Sequence, residues 1–411
     1  MRALRIAVVA VVVLAVLLVT GTAGYYWFRQ WQAEQEQAPL EAFYTPPEPL
    51  EGSPGVVIRS EPAPLWDVPG ARAQRILYVT QGYDGGRRVS GGTVWIPERP
   101  ARGPRKVVAW AHGTIGLGDQ CAPSRNPAAM PLMSQWLQQM IANDWIVTAT
   151  DYQGLGTPPP ATYLLGRAEA NDVVNSVRAA RSMPGAEAGS DWAVYGLSQG
   201  GHAALWTGQL ARDIAPELRL TAVAAAAPAG PLEVILAQQW DTAVAWAIGP
   251  EVMVSWPVVD PSLTPAAIVS DAGLAATEAQ AEDCIMTAAL FGLARQKLGQ
   301  QYFDRSPLSD PNWLAALRTQ TPDPLPADLP LLVPVGTEDN VVLPSSIAWL
   351  QRRWCRAGSD LTMDWMGGVD HIHAATVAGP QVVDWLDQRF AGKPTQPNCD
   401  QKPPVAPYRA K

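Results

Sequence analysis

Cysteine, histidine and excess positive charge are all scarce in this chain. Four cysteines in 411 residues cannot scaffold a fold of this length, and no C-x-x-C pair suggests a zinc ribbon or a thioredoxin-type site. Only four histidines are present and there is no H-E-x-x-H string. His371-x-His373, Asp370 and the distant His112 are the one set that could gather around an ion, and nothing in their spacing draws them together, so neither a metal nor an organic cofactor is expected. Thirty basic against 38 acidic residues leave a net charge of −8, which repels phosphate backbones and excludes nucleic acid as an expected partner. Internal repeats are also missing. What the chain does have is 47% hydrophobic residues, enough for a sizeable core in one large domain or two to three ordinary ones.

Arg2 and Arg5 precede an unbroken apolar run, Ile6 to Val19, the pattern of an export signal. Small residues at Gly21 and Ala23 offer a cleavage site, whereas Tyr25, Tyr26, Trp27 and Phe28 followed by Arg29 resemble an interfacial aromatic belt. Residues 1–28 therefore read as a signal peptide or an N-terminal membrane anchor. Either fate leaves the body exported, secreted or periplasmic or tethered outside the cytoplasm, in a space that permits disulfides.

Residues 29–65 are polar and then proline-rich, an extended lead-in. Ala73 to Thr80 and Val89 to Ile96 are β-rich runs around Tyr83-Asp84-Gly85-Gly86, which predicts an antiparallel hairpin at a sheet edge. Strands and helices then alternate: strands at 106–111, 145–150, 192–195 and 220–227, and helices at 132–142, 167–181 and 201–212. Such alternation predicts an α/β protein with a mostly parallel central sheet covered by helices on both faces. It stops near Pro228, and residues 231–320 read as a mainly helical insertion, a cap or second domain. A strand at 330–335, a helix at 345–356, a strand at 361–365 and a helix at 376–390 complete the sheet. The organisation is thus a core over 66–230 and 321–391, interrupted by the cap at 231–320 and followed by a polar tail, 392–411.

Gly196-Leu197-Ser198-Gln199-Gly200 is the single G-x-S-x-G string, and it falls between an expected strand and an expected helix. That context defines a nucleophile elbow, in which small residues two before and two after the serine permit a strained turn that projects the hydroxyl. A serine hydroxyl needs an imidazole to take its proton and a carboxylate to hold that imidazole. Glu338 and Asp339 both stand at the end of a late strand, and His371 and His373 both follow the last one. His202, directly after the elbow, reads as packing or capping the helix start. An oxyanion would need backbone donors, for which the residues suggest the N–H of Gln199 and that of Thr114 in Ala111-His112-Gly113-Thr114, with Ile115 or the 116–118 stretch as alternatives. His112 then anchors its loop. Most of the 17 tryptophans, Trp240, Trp246 and Trp256 of the insertion among them, read as packing, with a few free to line an acyl pocket.

Several strings in combination resemble the fungal and bacterial secretory lipases of the lipase A type: Phe43-Tyr44-Thr45-Pro46-Pro47, Pro54-Gly55, Arg59-Ser60-Glu61, the 111–114 string, Thr150-Asp151-Tyr152-Gln153-Gly154-Leu155-Gly156, Gly166-Arg167, the elbow, Gly336-Thr337-Glu338-Asp339 and Gly368-Val369-Asp370-His371. The resemblance covers about residues 43–390. It implies an α/β-hydrolase core, a helical cap, and hydrolysis of carboxylic esters including acylglycerols, with Ser198, Asp339 and His371 as the catalytic triad. Leu197 and Gln199 depart from the aromatic residue and the glycine usual beside that serine, which leaves acyl-length preference open. A lipid or small ester is the expected substrate. A serine peptidase or amidase on the same fold, and a non-catalytic binding protein, are the competing functions. The four cysteines allow three pairings. Cys121 with Cys284 would tie the insertion to the oxyanion loop, and Cys355 with Cys399 would fasten the tail.

Overall fold

Residues on successive positions of a strand face opposite sides of its sheet, and this alternation divides the core of the protein into two apolar layers. A computed structural model describes residues 35, 37–63, 66–126 and 134–409. The apolar segment near the N-terminus, read as signal peptide or anchor, lies outside the described residues. Among the described residues no helix is long and apolar enough to cross a membrane. The chain up to Thr45 forms one unit, whose described residues include a 3-10 turn (Ala38–Leu40) and the helical turn α1 (Glu41–Tyr44), and everything from Pro46 onward forms the other.

That second unit is built on a nine-stranded sheet of order β1-β2-β3-β5-β4-β6-β7-β8-β9. The hairpin β2 (Ala71–Gln81) and β3 (Arg87–Pro97) is antiparallel, and β3 lies antiparallel to β5 (Ile146–Thr150). From there β4 (Arg105–Ala111), β6 (Ala188–Leu197), β7 (Arg219–Ala226), β8 (Leu331–Gly336) and β9 (Leu361–Met366) run parallel with β5. The hairpin does not form the edge that its sequence suggested. β1 (Val57–Pro62), from the proline-rich lead-in, pairs outside β2, because Val57 and Ile58 supply strand-forming residues between the prolines.

Val107, Ala109 and Ala111 of β4 point to one layer, where α3 (Gly166–Ser182), α4 (Gln199–Ile214) and α10 (Pro344–Arg356) bring Val173, Leu205 and Trp354. Val108 and Trp110 point to the other, against Trp136 of α2 (Ser134–Ala142) and Val382 of α11 (Ala374–Phe390). Both faces are therefore covered, as a parallel sheet requires.

Five helices separate β7 from β8: α5 (Leu232–Gln239), α6 (Ala243–Val259), α7 (Asp271–Glu282), α8 (Ile285–Lys297) and α9 (Pro311–Thr319). They share a third apolar cluster that includes Trp246, Trp256, Tyr302 and Trp313. Pro250 sits inside α6 and cannot donate to the Trp246 carbonyl, which accepts instead from the Gln280 side chain at 2.8 Å. Helix α8 packs through its small residues, Ala288 and Gly292, and turns Met286, Leu290 and Leu293 outward.

The tail closes the far edge of the sheet instead of trailing from it. Asn398 accepts from the Met363 N–H at 2.7 Å and donates to the Met363 carbonyl at 2.8 Å, mimicking a further strand on β9. Cys399 beside it is bonded to Cys355 of α10. Replacing Cys399 by serine should lower unfolding free energy by about 2–4 kcal/mol, since the bridge restricts a long unfolded loop. Urea unfolding of the variant and the parent at one pH checks this through the shift in midpoint.

Candidate functional site

Parallel strands bring their C-terminal ends to one edge of a sheet, where loops can converge. β4, β6, β8 and β9 end there at Ala111, Leu197, Gly336 and Met366. Ser198 follows β6 with φ 57° and ψ −114°, a conformation that costs a non-glycine residue about 1–3 kcal/mol. Its N–H donates to Ala226 O at 3.0 Å, and its carbonyl accepts from the N–H groups of His202 and Ala229, both at 3.0 Å. The turn admits no side chain at Gly200, where a β-carbon would strike the carbonyl oxygens of Ala111 and His112.

The loop after β4 is held from two sides. His112 is buried, and its Nδ1 lies 2.7 Å from Gly113 O while its Nε2 lies 3.3 Å from Asp151 O. Burial pushes its pKa down to about 4, so the ring is neutral, with one N–H to donate. Tyr152 packs on that ring and donates its hydroxyl to His112 O. A β-carbon on Gly113 would come within 3.5 Å of Ser198 Cβ, which places this loop against the serine. Thr114 Oγ1 shares a 2.7 Å hydrogen bond with Tyr163 Oη. Further along, Leu117 N donates to Ala281 O at 2.8 Å, Ile285 N donates to Ile115 O at 3.0 Å, and Cys121 is bonded to Cys284. Gly116, at φ 96°, allows this approach, since a β-carbon there would collide with Asp283 O.

Asp339 is buried after β8, and its Oδ1 accepts from the N–H groups of Val341 at 2.9 Å and Val342 at 2.8 Å. Its Oδ2 lies 2.7 Å from His371 Nδ1. The neighbouring Glu338 is exposed. His373 is exposed too, and its Nδ1 lies 2.7 Å from Asp370 Oδ1. The backbone N–H and the ring of His373 hold the Asp370 carboxyl below the usual carboxylate range. Of the two histidines and two acids that the sequence left as rivals, the structure joins Asp339 to His371.

His202 is fully buried, and both its ring nitrogens are engaged, Nδ1 with Glu169 Oε2 and Nε2 with Gln320 O, each at 2.7 Å. Glu169 Oε1 also accepts from Gln199 Nε2 at 3.0 Å and from Leu164 N at 3.1 Å. Tyr163, Glu169 and Gln320 have no motif to mark them. The one signal is that α3 carries Glu169, Asp172 and Asn175 at helical spacing on its buried face, where acids are rare unless partnered. Among the described residues no three His, Cys, Asp or Glu side chains are grouped to hold a metal ion.

Ser198 opens onto an apolar cavity of about 110 Å³ bounded by α5, α6 and α9, with Leu236, Ile248, Met253, Trp256 and Trp313 in its wall. Val341 and Val342, whose N–H groups hold Asp339, line the same cavity. Of the tryptophans in the insertion, Trp246 is buried packing and Trp256 reaches the cavity.

A nine-stranded, mostly parallel sheet with a serine elbow at its C-terminal edge defines an α/β-hydrolase fold. The solved structures agree: lipase A of Candida antarctica superposes with a TM-score of 0.73 at 18% identity, covering 89% of each chain. A rice cell wall degrading esterase from Xanthomonas oryzae gives 0.68 at 19% identity, covering 84% of this chain and 100% of its own. The secretory lipase family model matches residues 130–398, well over half of the chain, and the chain belongs to that family. It is 23% identical to lipase 1 of Candida albicans over 72% of this chain and 67% of that one. It is also 24% identical to a probable inactive lipase of Mycobacterium tuberculosis, over 91% of this chain and 89% of that one.

Glycine at 198 would relieve the elbow strain. Ser198→Gly should raise stability by about 1 kcal/mol, the strain released less the extra freedom of the unfolded chain. Thermal unfolding of the variant reads it, and an unchanged or lower Tm would mean that the turn stores no strain.

Proposed function

We propose that the protein is an exported serine carboxylic-ester hydrolase that cleaves lipid esters through an acyl-enzyme on Ser198. The observation that carries the reading is the strained serine at the mouth of an apolar cavity whose wall also holds the two valines that grip Asp339. In this scheme Ser198 Oγ attacks the ester carbonyl carbon and its proton passes to His371 Nε2, while Asp339 keeps the ring in the tautomer that carries Nδ1–H. The tetrahedral oxyanion is met by the backbone N–H groups of Gln199 and Thr114. Collapse expels the alcohol, which takes the proton from His371, and water then repeats the sequence in reverse to free the acid. The acyl chain lies in the cavity, and helices α5 to α9 serve as its cap.

Lipid is favoured over small polar esters by the almost wholly apolar cavity wall. The outward face of α8 adds to this, because that helix has no acidic residue, ends in Arg295 and Lys297, and exposes Met286, Leu290 and Leu293, a surface suited to lipid aggregates. Export is supported by the arginine-flanked apolar start of the chain and by two disulfides. The inactive label on one relative keeps a binding protein in view, and against it stands the complete set of Ser198, Asp339 and His371.

Ser198→Ala should lower ester turnover by about 10^6-fold, since nucleophile and base act as a unit. His371→Ala should be as damaging, while His373→Ala, which removes an exposed ring bonded to Asp370, should leave most activity. Equal losses at both histidines, or ester hydrolysis undiminished in the serine variant, would overturn the scheme. A matched amide substrate separates this activity from that of a peptidase.

Acyl length is read by p-nitrophenyl esters of increasing chain and by an emulsified triglyceride. Leu236→Trp, which fills the cavity, should cut kcat/KM for the longer esters by about 10–200-fold and spare the short ones. An equal loss at every length would place the acyl chain elsewhere.

A further inference from the structure

A small cavity, separate from the apolar one, has room for a single water molecule. Its wall includes Gly116 of the loop after β4, Gln153 after β5, Thr162, Tyr163, Gln199 and Glu251 of α6. Three buried polar atoms of these residues have no hydrogen-bond partner among the described residues: Gln153 Oε1, Thr162 Oγ1 and Glu251 Oε2. Buried polar atoms are seldom left unpaired, because each then forfeits its hydration for nothing. The Gln153 amide nitrogen is already spent on Gln81 O and on the carboxylate oxygens of Asp172, so its oxygen must find a donor elsewhere.

We propose that this cavity is a binding site for one ordered water, and that Glu251 is a positioning residue which, through that water, braces Gln153 and Thr162, the residues that share the cavity wall with the 115–117 loop and Gln199, for ester hydrolysis. The positioning role rests on the hydrolase reading above. The hydrogen-bond inventory closes with Glu251 as the acid. Its O–H donates to the water, the water donates to Gln153 Oε1, and the Thr162 hydroxyl makes the third bond, the usual number for a buried water. Among the described residues no Lys or Arg lines the cavity, and burial pushes the Glu251 carboxyl well above the usual carboxylate range. The other titratable groups in the wall are the phenols of Tyr152 and Tyr163, both raised by burial first. Behind them Glu169 and Asp172 of α3 add negative charge that raises Tyr152, and Glu169 acts on Tyr163 as well. Both proposed oxyanion donors are within reach of this site, because Gln199 is in its wall and Tyr163 holds the Thr114 hydroxyl.

The neutral acid carries a stability signature. Above about pH 4.3 a carboxyl in the unfolded chain loses its proton, while Glu251 in the folded chain keeps it. The folded state then binds more protons, and stability falls as pH rises until Glu251 itself ionises. Glu251→Gln retains the polar head and removes this slope, so its advantage over the parent should grow from pH 5 upward.

The test compares the full-length parent with Glu251→Gln and Glu251→Leu. A high-resolution crystal structure of the parent should show one water between Glu251 and Gln153, absent from the leucine variant. Leucine should lower kcat by about ten- to a hundredfold, the scale of a slightly misplaced site, with KM little changed, and glutamine should restore most of kcat. If leucine prevents folding, the glutamine variant still decides through its pH–stability slope and its kcat. A dry cavity in the parent, a leucine variant with parental kcat, a glutamine variant with the parent's pH–stability slope, or one that folds with kcat far below the parent's would overturn the proposal. If fluorophosphonate fails to label parental Ser198 and no ester is cleaved, the hydrolase reading falls and the positioning role with it. The crystal structure and the pH–stability slope then judge the water site alone.

Discussion

The turn between β6 and α4 brings backbone against backbone so closely that Gly200 has no space for a side chain beside Ala111 O and His112 O. That approach fixes the end of β4 to the start of α4, and the loops at the C-terminal edge take their positions from it. Gly113 comes to lie beside Ser198, and α4 begins at the residue after that serine. The strain at Ser198 is sustained by the bonds around it, to Ala226 O from one side and from Ala229 and His202 on the other. A parallel sheet supplies the rest, because every crossover returns its strand with the C-terminal end on this edge.

The second constraint is the stitching of the insertion to the core. The chain from Ile115 to Cys121 is joined to 281–285 by two backbone hydrogen bonds and a disulfide. From the other end, Gln320 after α9 accepts from His202 of α4 through its backbone and from Gly166 N through its side chain. The insertion is thus anchored at its middle and at its end, while α5 and α6, ahead of both anchors in the chain, form much of the apolar wall. Anchors at these two places let the helices outside them shape a cavity without unsettling the loops that hold the serine.

The sheet and its crossovers were legible because buried strands and amphipathic helices carry periods of 2 and 3.6. The 106–111 and 145–150 strands with the helices after them, and the 220–227 strand, fall within a few residues of where the pattern put them. The elbow was legible for a different reason, since its glycines answer a steric demand confined to five consecutive residues. β1 was not, because prolines on both sides mask a short strand whose pairing is decided by residues 74–78 in the middle of β2. Nor could the sequence choose between Glu338 and Asp339 on residue type alone. The choice is made by the turn after β8, which offers the N–H groups of Val341 and Val342 to one carboxylate and leaves the other in solvent.

Gln199 shows why the departure from a glycine beside the serine has a physical basis in this chain. Its amide nitrogen donates to Glu169 Oε1, an acid buried at the N-terminal part of α3 that also receives Leu164 N–H and faces His202. A glycine at 199 would remove one of those donors and leave part of a buried carboxylate unmatched, which costs more than the small gain in backbone freedom at a helix start. The glutamine and the buried acid therefore require each other. Since Gln199 directly follows Ser198 as the first residue of α4, the network that satisfies Glu169 also fixes the helix start beside the serine. Side-chain chemistry on the core side of α4 thereby sets the geometry available on the cavity side.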